Sequence, residues 1–162
     1  IDIYTIEEDN SKKKNEEWYV NTDVTYTFDG SKVTGSYGDA TAKAHADTTY
    51  TNTDKSNGII PTGKDVGDVK DEGLKTILIR NVKNQAEGIL NATDWYVTRK
   101  SEEGTAIPSA ITTHRKAVRT KQAEMETAIT NAADTAALET LYTYVEKDGS
   151  YTRPLGELPR LE

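Results

Sequence analysis

The period of the hydrophobic pattern changes near residue 73, and this change constrains the fold more than any other feature of the chain. Before it, apolar residues such as Val24, Tyr26 and Phe28 alternate with polar ones, which is the period of a strand with one apolar face. After it, apolar residues recur every three or four positions, the period of an amphipathic helix. The two periods predict an α+β fold, with a small N-terminal antiparallel β-sheet unit followed by a C-terminal three-helix unit.

The first half contains a strong hairpin signal. The alternating residues 24–28 are followed directly by Asp29-Gly30 and then by a second strand-like run over residues 32–37. Glycine accepts the positive φ of a tight turn, so the two runs should pair. Alternation continues through the alanines of residues 40–50 and predicts a third antiparallel strand. We therefore expect a β-rich unit over residues 1–51, covered by the helical half or by another subunit because so few strands are barely stable alone.

Residues 52–73 are rich in Asn, Asp, Ser and Gly and show little periodicity. This composition predicts a linker or surface loop. Asp65, Asp68 and Asp71 suggest a calcium loop, but the alternate-position ligands and the closing glutamate of such a loop are missing. The better interpretation of these aspartates is a solvated acidic linker.

The sequence pattern of the second half predicts a helical unit over residues 74–147 and an extended tail over residues 148–162. The first helix carries an apolar stripe made of Leu74, Ile77, Leu78, Val82, Ala86, Ile89 and Leu90. Its exit is expected at Thr93-Asp94. Pro108 suits the first turn of a second helix that reaches about Ala132, because its missing N–H is not needed there. Asp134 or Thr135 can cap a short third helix.

Four short motifs follow one another along this half of the chain. In order they are Ile79-Arg80-Asn81, Asn91-Ala92-Thr93-Asp94-Trp95, Ile107-Pro108 and His114-Arg115-Lys116-Ala117-Val118-Arg119. From residue 74 onward this order resembles the C-terminal helical module of tailed-phage tail-fibre assembly and tail-assembly chaperone-like proteins. That family combines an Arg-containing helix, a Thr-Asp-Trp step and a Tyr-Arg-x-x-Leu-Arg helix, although this chain has His114 and Val118 in place of the tyrosine and the leucine.

The resemblance implies that Arg80, Asp94, Trp95, Arg115 and Arg119 belong to a structural or partner-binding motif. We expect the Trp95 ring to be buried between the first two helices, with an exposed partner anchor as the alternative, since Trp, Tyr and Arg dominate binding hot spots. The two arginines lie four residues apart on one helix face. Either of them can clamp Asp94 or a carboxylate on a partner, and the internal bond is the preferred interpretation.

Composition and inventory exclude several functions. The net charge is −7, which disfavours nucleic acid as a partner because phosphate binding requires clustered Lys and Arg. The chain has no cysteine and two histidines, His45 and His114, and neither lies in a nucleophile–base or zinc-ligand pattern. No apolar run approaches the ~20 residues of a membrane span. We expect no catalytic residue, metal, cofactor or membrane insertion.

These observations predict a non-enzymatic phage structural or assembly protein. It would bind tail, collar or fibre proteins as a homo-oligomer or in many copies, and would reside in the virion after assembly in the bacterial host cytoplasm. One alternative is a transient assembly chaperone that is absent from mature particles. Another is a carbohydrate-binding sheet that uses Trp18, Tyr19, Tyr26 and Tyr37, because aromatic rings stack on sugars, although tyrosines in strands more often pack across strands.

Overall fold

A computed structural model describes residues 4–161 and divides the chain into two compact units, Ile1–Ala44 and His45–Glu162. Short strands form the first unit, and the long helices lie in the second. The predicted α+β class is therefore confirmed.

The N-terminal unit is built around a three-stranded sheet in the order β1-β4-β3. The strands of the whole unit are β1 Thr5–Asp9, β2 Tyr19–Val20, β3 Thr25–Phe28, β4 Lys32–Ser36 and β5 Thr41–Ala42. Of these, β2 and β5 form a separate two-stranded sheet. The predicted hairpin is present: β3 and β4 are antiparallel and Gly30 has a φ of 97° in the turn. The expectation of a purely antiparallel sheet was wrong, because β1 pairs with β4 in parallel, with Ile6 opposite Val33.

The predicted third strand over residues 40–50 does not form as one element. Its first part, β5, pairs with β2, and its last part, β6 Thr48–Thr49, pairs with β7 Val69–Asp71 in the other unit. The alanines of this stretch offer little apolar surface to bury, so side-chain packing favours no single long strand there. β1 takes the third place in the sheet although its sequence, TIEED, is mostly acidic.

The C-terminal unit contains more helices than the three we expected. They are α1 Asn52–Ser56, α2 Leu74–Asn91, α3 Asp94–Glu103, α4 Ser109–Asn131 and α5 Thr135–Tyr142. The additional long helix, α3, occupies the charged segment between the exit expected at Thr93-Asp94 and the helix start expected at Pro108, where no helix was predicted. It ends at Gly104, whose φ of 71° gives the left-handed cap that often terminates a helix.

The core of this unit lies between α2 and α4 and continues onto α5. The predicted stripe of α2 supplies Leu78, Val82 and Ala86. The other helices contribute a further set of buried apolar residues, namely Ile111, Val118, Met125, Ile129 and Leu138. None of the helices within residues 4–161 is both long enough and apolar enough to cross a membrane.

The segment expected as a linker, residues 52–73, contains α1 and β7 and is tied together by polar contacts. Thr51 and Asp54 form a reciprocal capping box at the start of α1. Asp54 also forms an ion pair with Lys70 at 2.8 Å. No group of acidic or histidine residues in the described part of the chain is placed to hold a metal ion.

The contacts of Asp54 should make the stability of this segment sensitive to acid. The Lys70 ammonium, and then the Thr51 hydroxyl and N–H, lower the pKa of Asp54 well below its usual value of 3.8. The stabilisation is therefore complete above the unfolded pKa and is lost as the pH falls through the lower folded pKa. When the pH is lowered from about 5 to about 2, we expect the urea midpoint of unfolding to decrease less for Asp54→Asn than for the wild type. An equal fall in both proteins would contradict this contribution.

The first turn of α2 is capped by residues distant in sequence. The Asp47 carboxylate accepts hydrogen bonds from the Gly73 N–H at 2.7 Å and from the Thr76 hydroxyl at 2.9 Å. The His45 carbonyl accepts from the Lys75 N–H at 3.0 Å. Residues 45–47 thus satisfy N–H groups that a helix start leaves without internal partners.

The C-terminal segment, expected as an extended tail, begins within a hairpin. Strands β8 Val145–Lys147 and β9 Ser150–Thr152 pair across Asp148-Gly149. Further on, Leu155 is buried and its N–H donates to the Leu141 carbonyl at 3.0 Å. The segment is therefore attached to the end of α5.

Candidate partner-binding surfaces

A buried arginine connects the α2–α3 junction to α4. Arg115 Nη1 donates to the Leu90 carbonyl at 2.8 Å and to the Thr93 hydroxyl at 2.7 Å. Its Nη2 pairs with Asp94 Oδ1 at 2.7 Å. Of the two arginines predicted to clamp Asp94, Arg115 is the one that forms the ion pair. Its planar guanidinium thus binds Leu90, Thr93 and Asp94 together.

Trp95 is the clearest correction to our expectations. Instead of lying in the core, the residue is 51% exposed. Its ring packs on Tyr96 with centroids 3.8 Å apart, and the Arg99 guanidinium lies 4.7 Å from its centroid. The reason is that α3 begins at Asp94, which faces Arg115, so the next residue is rotated by about 100° away from that contact. We call Trp95, Tyr96 and Arg99 the α3 surface.

Removing the Trp95 ring should therefore have little effect on folding. We expect Trp95→Ala to lower the free energy of unfolding by less than about 1 kcal/mol, because surface side chains away from buried networks contribute little. Urea denaturation followed by circular dichroism measures this. Leu138→Ala, at a fully buried position, should cost ~2–5 kcal/mol in the same assay. A comparable loss for Trp95→Ala would restore the core interpretation.

A shallow groove of about 440 Å³ lies beside the junction, between α3 and α4. Apolar side chains of Val97 and Ile107 contribute to its lining, and Lys116 and Arg119 stand at its cationic side. Arg119 is exposed and makes no ion pair with any residue in 4–161. The alternative clamp by Arg119 on Asp94 is thus not formed, and its charge is available at the surface.

Arg80 lies away from the α2–α3 junction. It lies on α2 and forms two hydrogen bonds to the Glu72 carboxylate, at 2.8 and 2.7 Å. Ten residues of helix, about 15 Å, separate it from Leu90 at the junction. The structure therefore brings together Asp94 and Arg115, with Trp95 beside them, but not Arg80.

The predicted aromatic sugar platform is not assembled as expected. Trp18 and Tyr19 are buried, at 2% and 7% exposure. Tyr37 is half-buried with the Lys13 ammonium 5.3 Å from its ring. Of the four aromatic residues, Tyr26 alone is largely exposed, at 64%. A sugar stacked on this sheet would contact Tyr26 and would not contact Trp18.

Two surface features were missed by the sequence reasoning. One is a groove of about 780 Å³ lined by Ile89 of α2 and by Tyr144 and Glu157. The Tyr144 hydroxyl donates a hydrogen bond to the Glu157 carboxylate. That bond raises the pKa of Tyr144. The other is an exposed apolar sheet face that includes Ile6. The alternation of Tyr4 and Ile6 was its sequence signal, but the acidic residues that follow concealed it.

The two histidines lie in separate segments of the second unit. His114 is buried on α4 and His45 contributes its backbone carbonyl to the start of α2. No protein-family model matches the chain, and no curated protein or solved structure matches it either.

Proposed function

We propose that this chain is a non-enzymatic structural or assembly protein of a tailed phage, and that the α3 surface is a docking site for a tail, collar or fibre protein. The observation that carries the proposal is the exposure of Trp95 on a helix that Arg115 holds in place. The resemblance of the Thr-Asp-Trp and Arg-x-x-x-Arg motifs supports the phage assignment.

The α3 surface has the composition of a binding hot spot. Tryptophan, tyrosine and arginine are the residues whose truncation most often weakens protein complexes. Here they form one stack, because the Arg99 guanidinium lies near both rings, 4.7 Å from Trp95 and 5.4 Å from Tyr96. The Arg99 Nε is covered and has no hydrogen-bond partner within the described residues.

Pre-organisation supports the same proposal. The three bonds of Arg115 fix where α3 leaves α2, so the rings need little further ordering when a partner binds. The cationic side chains Lys116 and Arg119 beside the neighbouring groove favour a partner with carboxylates at its rim. Affinity would come from burial of the ring stack, and orientation from these charges.

Quantitative mass spectrometry of purified phage particles and of the unfractionated lysate tests the function. Stoichiometric presence in mature particles supports a virion component. Abundance in the lysate with absence from particles would favour the assembly chaperone over the virion role. If no phage produces this chain, the proposal is overturned.

The docking site requires a second comparison. Phage that encode Trp95→Ala should incorporate less of the protein, while Tyr151→Ala, at an aromatic residue that is 70% exposed on β9, should incorporate normally. Equal incorporation of the two variants would exclude the α3 surface as the docking site. Thermal melts of both purified variants control for folding.

A further inference from the structure

The three-stranded sheet of the N-terminal unit has one apolar face. In its register Ile6, Val33 and Phe28 are neighbours across the three strands, as are Glu8, Gly35 and Tyr26. Registered residues project on the same side of a sheet. Tyr4 joins this side, because its ring meets Phe28 edge-on with centroids 4.7 Å apart.

The opposite face of the same sheet is polar. It carries alternate residues of each strand, namely Thr5, Glu7, Asp9, Thr25, Thr27, Lys32, Thr34 and Ser36. Lys32 and Glu7 form an ion pair there at 2.6 Å. In a sheet with one covered face the apolar side is the covered one.

The apolar face is nevertheless exposed. Tyr4, Ile6, Tyr26 and Phe28 are 46%, 68%, 64% and 53% exposed. With roughly 150–250 Å² for a large side chain, the exposed parts amount to about 500 Å². That is at the upper end of the apolar patches on ordinary monomers, and such patches commonly mark contact sites.

We propose that this face binds the same face of a second copy of the chain, as an isologous two-sheet sandwich. This inference names the partner of the β-rich unit. It rests on the proposed function, in which the protein is part of an assembly that contains many copies. Two such faces bury about 1,000 Å², which reaches the lower limit for a specific interface. Sheets pack face to face in this way about 10 Å apart.

Charge favours a second copy over a different protein. The chain has a net charge of −7, so a basic partner would be attracted to its acidic surfaces. This face offers such a partner one carboxylate within the strands, Glu8 at the end of β1. A nearly uncharged face is instead what two acidic copies require in order to meet without repulsion.

Analytical ultracentrifugation of the full chain tests the proposal. We expect the wild type to sediment at twice the 17.9 kDa of one chain. Ile6→Lys should raise the dimer dissociation constant about tenfold or more, because it places a charge in the apolar contact. Thr5→Lys, on the polar face of the same strand, should leave it nearly unchanged. A wild type that remains monomeric at about 100 μM would overturn the proposal, as would equal effects of the two lysines.

A second measurement remains informative if Ile6→Lys fails to fold. The chain has no cysteine, so single thiols can be placed on adjacent residues of the central strand β4. Val33→Cys lies on the apolar face and Thr34→Cys on the polar face. A bismaleimide spanning about 10 Å, the spacing of packed sheets, should cross-link the first variant and not the second. Equal yields, or no cross-linking of either, would overturn the proposal without bearing on the particle analysis.

Discussion

Gly73→Ala is expected to lower the free energy of unfolding by about 3 kcal/mol or more, because the added methyl group has no space. A Cβ at this position would lie 2.3 Å from the Ala46 carbonyl carbon and 2.4 Å from its oxygen. These are backbone atoms, and the same segment caps α2 through Asp47. The clash can be relieved only if residues 45–47 move and the cap is lost.

Gly88→Ala is the matched control, since Gly88 lies inside α2, the helix that Gly73 precedes, and has open space where a Cβ would be. Alanine there should stabilise the protein by about 0.5–1 kcal/mol, as in other helix interiors. Urea denaturation of both variants, followed by far-ultraviolet circular dichroism, measures the difference in the free energy of unfolding. If Gly73→Ala remains within about 1 kcal/mol of the wild type, the 45–47 segment does not pack on α2 as described.

Arg115→Ala is expected to cost about 2–4 kcal/mol, because it removes charged hydrogen bonds from a partly buried junction. The Leu90 carbonyl and the Thr93 hydroxyl would lose their 2.8 and 2.7 Å bonds to the guanidinium. Asp94 is partly exposed and can regain water. The loss therefore arises mainly from the buried Thr93 hydroxyl and the part-buried Leu90 carbonyl.

Two further variants isolate this role. Arg119→Ala removes an exposed arginine one turn along the same helix and should change stability by no more than about 0.5 kcal/mol. Arg115→Lys keeps the charge but lacks the planar fork that reaches three groups, so it should restore only part of the loss. Equal stability of Arg115→Ala and Arg119→Ala would show that the junction does not depend on the guanidinium.

The helices that bury a periodic stripe were predicted well. α2 begins at Leu74, as its apolar spacing indicated, and Asp134 caps α5 with a 2.8 Å bond from the Ala137 N–H. The β3–β4 hairpin formed around Asp29-Gly30 for an equally local reason. In each case the signal lay within a few residues of the structure that it specified.

The errors share a different cause. β1 was not predicted as a strand, because three of its five residues are acidic and its partner β4 lies more than twenty residues later. α3 contains no buried residue, so it lacks the apolar stripe on which helix prediction depends. Trp95 was assigned to the core because of its size, and the start of α3 reverses that assignment.

By itself the sequence determined the α+β division, the principal helices and the hairpin, and it limited the internal partner of Asp94 to Arg115 or Arg119, since periodicity, caps and complementary charges are local or nearly local properties. Only the tertiary structure decided that Trp95 is exposed, that β1 completes the sheet in parallel, and that Asp47 caps α2. These outcomes depend on which distant segments meet. The free energy of such contacts is set by burial and backbone geometry rather than by the residues next to each other in the chain.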